Sequence, residues 1–132
     1  VVVLAHELAH AHTHEGRDIG DMTWRTTDFA GAEREIVEGL AQFYTYVISS
    51  RLEDQDPEIC EAYTGLLQLQ GGPYRVHENW LKWGRDAGEV IRGGLIVART
   101  RSITSYYEFE KALSHQRELM QQKAEAATSV KK

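Results

Sequence analysis

The spacing His6-Glu7-x-x-His10 constrains this chain more than any other feature. On an α-helix, residues four apart share a face, so both imidazoles can turn one nitrogen to a single ion about 2.0–2.1 Å away. Glu7 sits one step round, beside whatever water completes the coordination. Zinc in such a site lowers the pKa of that water toward roughly 7, and a carboxylate at hydrogen-bond range takes the proton as the water attacks a carbonyl. A fold that uses this pattern must run a helix through residues 6–10 and bring up a second element carrying at least one more ligand.

The surroundings of the motif are apolar: Val1, Val2, Val3, Leu4, Ala5, Leu8, Ala9 and Ala11. Apolar residues on every side predict a buried helix, with His6, Glu7 and His10 as polar groups in a core. Such groups need partners, and a metal supplies one. The bland alternative is an ordinary helix with two satisfied histidines.

At 132 residues the chain is expected to form one domain with a single core, over residues 1–124, followed by a flexible tail at 125–132. Residue 1 is already inside the motif helix, so a fragment of a longer protein is expected. A net charge of −5, with both signs interspersed, argues against nucleic acid as the main partner, because phosphate binding needs a basic stripe. No apolar run approaches the 18 or so residues that span a bilayer. The single cysteine, Cys60, rules out an internal disulfide and falls in a helical apolar pattern, as a small buried hydrophobe does. This usage favours the cytoplasm, although a missing N-terminus leaves secretion open.

The motif helix is expected to end near Gly16, and residues 16–31, rich in Gly, Asp and Thr, read as a long loop. Residues 32–53 carry Ile36, Val37, Leu40, Phe43, Tyr44, Val47 and Ile48 on one broad stripe and predict a second helix. Asp56-Pro57 starts a third, which Gly71-Gly72-Pro73 stops. A fourth is expected from Tyr74 or Val76 toward Arg99, weakened by Gly84, Gly88, Gly93 and Gly94. Ser105-x-x-Glu108 fits a capping box for a last helix from 106 to about 124, burying Tyr106, Phe109, Leu113 and Met120. No strand is convincing. The fold class is therefore mainly α, with about five helices.

The third ligand decides the kind of site. His14 lies eight residues from His6, about 12 Å along a continuous helix, too far to share one ion with His10 between them; a solvated place at the helix end is expected. His12, facing Leu8 and Leu4, reads as a core or interface histidine. The Gly and His that metzincins place three and six residues after the second motif histidine are Thr13 and Gly16 here. Glu38 is the favoured ligand, because Gly39 and Ala41 would let its helix approach the motif helix and Gln42, one turn on, could accept a hydrogen bond from a ligand imidazole. Glu35 is its rival.

His6-Glu7-Leu8-Ala9-His10 followed by Glu38-Gly39-Leu40-Ala41 resembles the gluzincins, peptidases in which an HExxH helix and a Glu from a following helix bind one zinc. With Gln42 and then Tyr74-Arg75-Val76, roughly residues 1–95 are similar to the peptidase domain of the plant ubiquitin-activated LIM-domain peptidases and their bacterial relatives. The resemblance implies a zincin-like helical core, one Zn2+ per chain on His6, His10 and Glu38, Glu7 as general base, and a peptide or protein substrate. This chain has no LIM or ubiquitin-binding segment, and the sheet that precedes the motif helix in that family is missing from it.

An attacked amide develops negative charge on oxygen, which a Tyr, His or Arg donor commonly stabilises beside the metal. Tyr74 is the first candidate, with Arg75 and His77 behind it; Tyr63 and Tyr44 sit in apolar stripes and are expected in the core. The expected function is zinc-dependent hydrolysis of peptide bonds. The alternatives are a catalytically incompetent, metal-stabilised helical interaction domain, and an all-α structural module whose motif is accidental.

Overall fold

The structure, a computed structural model, describes residues 2–15 and 23–130. Among them are seven α-helices: α1 (Val2–Glu15), α2 (Thr26–Gly31), α3 (Arg34–Leu52), α4 (Glu58–Gln68), α5 (His77–Leu81), α6 (Ala87–Arg101) and α7 (Tyr106–Val130). Single 3-10 turns occupy Gly72–Tyr74 and Gly84–Asp86, and no strand occurs among the described residues. None of these helices is long and apolar enough to cross a membrane.

Helix α3 is the central element, packed against α1, α4, α5 and α7. Its apolar stripe drives this: Ile36, Leu40 and Phe43 are buried in one core with Trp80, Ile91, Leu95, Phe109 and Leu113. A smaller cluster of Val2, Ile59 and Tyr63 ties the start of α1 to α4. The other end of α1 is held by Arg99 of α6, whose guanidinium is buried and donates to the carbonyls of His12 (3.1 Å) and Thr13 (2.8 Å). A cation there meets carbonyls that the helix itself leaves unpaired, at the negative end of its dipole.

The helix count exceeds expectation for identifiable reasons. The expected loop over residues 16–31 contains α2, while residues 16–22 lie outside the described residues. Trp24, 1% exposed, donates its backbone N–H to the His14 carbonyl at 3.0 Å, and Phe29 of α2 packs edge-on against its indole. Aromatic anchoring offsets the weak helical propensity of Thr26 and Thr27. The expected fourth helix is split into α5 and α6, because the chain turns at Gly84 with φ +60°, a conformation that only glycine adopts readily. Helix α7 continues to Val130, past the expected end near 124, with residues 121–129 exposed.

Local signals elsewhere act as expected. The Asp56 carboxylate accepts from the Glu58 N–H (3.2 Å), and Ser105 Oγ accepts from the Glu108 N–H (3.1 Å). Phe109 and Leu113 are fully buried, whereas Tyr106 and Met120 are half-buried. Cys60 is half-buried with its thiol directed to the Ser49 carbonyl; desolvation, then the charge of Glu53, pushes its pKa up, away from reactivity.

The expected burial of α1 on all sides is overturned. Val3, Leu4 and Leu8 are 62%, 62% and 59% exposed, because α1 packs through the side carrying the buried Val2, Ala5, His6, Ala9 and Thr13, with His10, His12 and His14 half-buried. Gly39 also differs from its expected role. A Cβ there would lie 2.6 Å from Val76 and 2.9 Å from the Trp80 ring, so its lack of a side chain admits the α5 segment rather than α1.

Gly94 gives a test of packing against propensity. A Cβ at Gly94 would come within van der Waals radii of the fully buried Leu113, which cannot move away, whereas Gly65 in mid-α4 has nothing within 4 Å. Gly94→Ala should lower unfolding free energy by about 1–3 kcal/mol, and Gly65→Ala should raise it by up to about 1 kcal/mol. Denaturant midpoints at constant m-value measure both; equal effects would refute the close α6–α7 approach.

Candidate metal centre

Helices α1 and α3 bring three ligand-type side chains to one point. His6 and His10, one turn apart on α1, face Glu38 on α3. His6 Nε2 lies 2.9 Å from Glu38 Oε2 and 3.1 Å from His10 Nε2, and His10 Nε2 lies 3.3 Å from the same carboxylate oxygen. Two atoms each about 2.0–2.1 Å from one ion at the tetrahedral angle stand about 3.3 Å apart. The three separations are close to that value, so this donor set, two imidazoles and a carboxylate, fits a zinc-sized ion.

The tautomer of His6 sharpens the fit. Gln42, one turn beyond Glu38, donates its side-chain N–H to Gln70 Oε1 (2.6 Å) and so presents its Oε1 to His6 Nδ1 at 3.0 Å. Nδ1 then carries the hydrogen, and Nε2 of a neutral His6 directs a lone pair at Glu38 and at His10. Three electron-pair donors facing one another inside a largely buried site repel unless a cation lies between them. His10 is held less completely: its Nδ1 is buried with no hydrogen-bond partner among the described residues.

The remaining candidates separate clearly. Tyr74, at the end of the 3-10 turn after Gly71, stacks on the His6 ring at 6.0 Å with an interplanar angle of 30°, so this turn forms one wall of the site. Its hydroxyl accepts a hydrogen bond from Arg34 Nη2 at 3.0 Å. Glu7 is exposed and makes no hydrogen bond or ion pair with the described residues. Arg75 is exposed and pairs with Glu78 at 3.0 Å. Glu35 is outside the group that could hold a metal and makes no ion pair with the described residues.

His12 and His14 also lie outside the group. His12 packs edge-on against Tyr44 at 5.3 Å, in keeping with a core or interface histidine. His14 is not the solvated residue expected: it is half-buried, stacked on Phe29 at 4.7 Å and within 3.2 Å of Thr26 Oγ1, because α2 folds back over the end of α1. Sequence alone assigns Arg34, Gln70 and Arg99 no role in binding or positioning. Arg34 had a signal, since it precedes Glu38 by one turn; Gln70, beyond the end of α4, reaches Gln42 only through the return of the chain, and Arg99 bonds the end of α1 rather than the site.

His77 is fully buried and shares a hydrogen bond with Tyr63, so it faces the α4 side of the core rather than the ligand group. Burial pushes its pKa down to about 4, opposed in part by the Glu78 carboxylate, and the same burial raises the Tyr63 phenol. Below its ordinary value near 6.5 the unfolded chain binds a proton that the folded chain refuses. The folded state should therefore lose stability as pH falls from about 6.5 toward about 4, at up to roughly 1.4 kcal/mol per pH unit. Denaturant titrations of metal-free protein across this window should show a shallower slope for His77→Gln; identical slopes would remove His77 as the source.

No known family model, curated protein or solved structure matches this chain.

Proposed function

We propose that this chain is the catalytic helical core of a zinc-dependent peptidase with a zincin-like arrangement, His6, His10 and Glu38 being the ligands. The observation that carries the reading is the convergence of three lone-pair donors within 3.3 Å of one another, with His6 oriented by Gln42. Bound zinc would supply a Lewis acid that polarises the scissile carbonyl and acidifies water. The chain's own residues do the rest. Glu7, one position after His6 and unpaired, takes the proton of the attacking water and returns it to the departing amine. Tyr74, on the wall formed by its turn, offers a hydroxyl to the oxygen that gains charge.

A second reading has one observation in its favour. The exposed Val3, Leu4 and Leu8 form an apolar face on the motif helix, which suits a metal-stabilised interaction domain whose partner covers it. Dependence of turnover on Glu7 separates the two.

Metal-free protein should take up one zinc per chain with a rise in melting temperature, and a chelator should reverse it. His10→Ala should abolish uptake. Glu38→Gln should weaken zinc binding well beyond Glu35→Gln, and the opposite order would move the third ligand to Glu35. These are read by elemental analysis and competition with a zinc indicator.

Glu7→Gln should leave zinc content and helicity intact while lowering peptide hydrolysis about 10²–10⁴-fold. Cleavage of a denatured protein, followed by mass spectrometry, gives the readout. Turnover within a few-fold of the unmodified chain would remove Glu7 from the chemistry.

A further inference from the structure

Arg34 stands one helical turn before Glu38, on the same face of α3, and is exposed. Its neighbours do not neutralise it. Glu33 accepts the Tyr106 backbone N–H at 3.0 Å, Glu35 makes no ion pair with the described residues, and Glu38 faces the two histidines. No carboxylate among the described residues pairs with Arg34, whose resolved bond is the one from Nη2 to the neutral Tyr74 hydroxyl. That bond, with the guanidinium 5.5 Å from the centroid of the Tyr74 ring, fixes the planar fork beside the wall that stacks on His6. A guanidinium carries five N–H donors, and the tyrosine takes one. The others remain open to solvent, on the Tyr74 ring that stacks on His6.

The geometry points to Arg34 as an anion anchor, held in place by Tyr74, that selects peptides presenting a carboxylate next to the bond cleaved at the His6–His10–Glu38 site. This rests on the peptidase reading for what happens to the bound peptide. The carboxylate can come from a free C-terminus or from an acidic side chain; both have the planar pair of oxygens that a guanidinium fork matches. Lysine offers the charge without the fork.

The test measures binding to the full chain, with and without one equivalent of zinc, by isothermal titration. Three probes are compared: N-acetyl-Gly-Ala with a free C-terminus, the same dipeptide as its C-terminal amide, and N-acetyl-Asp methylamide. Charge-assisted bonds to carboxylate predict at least about tenfold tighter binding of a carboxylate probe than of the amide. Preference for the first probe identifies a C-terminal anchor, and preference for the third an acidic-side-chain pocket. Arg34→Gln should bring the ratio to within about twofold of unity, Arg34→Lys should keep part of it, and Tyr74→Phe should reduce it several-fold while keeping the ring. Melting curves confirm that each variant is folded.

Equal binding of all three probes to the folded chain would overturn the anchor, as would a carboxylate preference that survives Arg34→Gln, since the metal itself would then be holding the probe. A chain that takes up no zinc but retains an Arg34-dependent preference would instead sink the peptidase reading and leave the anchor standing.

Discussion

The packing of α1 on α3 is the contact on which the rest depends, because it must do two opposed things at once. It buries apolar surface of α1 at Ala5 and Ala9, and in the same interface it encloses two imidazoles and a carboxylate. Enclosing those groups without a counter-charge costs free energy. The surrounding helices can be understood as keeping that interface closed. Arg99 satisfies the last carbonyls of α1, the Val2–Ile59–Tyr63 cluster holds its first turn, and the Gln42–Gln70 bond orients His6 from behind.

Glycine at 39 shows how closely the site and the core are coupled. It lies next to Glu38, yet the space it frees is taken by Val76 and Trp80. The approach of α5 in turn brings the Gly72–Tyr74 turn against His6, so one missing side chain positions a wall of the site from the far side of α3. A residue beside a candidate ligand need not serve that ligand directly.

The site is also asymmetric. His6 has an oriented partner and His10 Nδ1 has none, Glu38 is largely buried, and Glu7 is in solvent. Arg34 is exposed on α3, one turn before Glu38, and α1 exposes an apolar surface at Val3, Leu4 and Leu8.

Sequence by itself determined what depends on local periodicity and on residues one turn apart. The helical class, the facing of His6 and His10, the placement of Glu38 one turn before Gln42, the stops at Gly71-Gly72-Pro73 and the caps at Asp56 and Ser105 all follow from contacts within a few residues. Tertiary structure decided what depends on which surfaces meet. The exposure of Val3, Leu4 and Leu8, the helix formed at Thr26–Gly31, the burial of His77 against Tyr63, the true neighbour of Gly39 and the pairing of Arg34 with Tyr74 each join segments far apart in the chain. Periodicity says that a helix has an apolar side, but it cannot say how much of that side its partners cover.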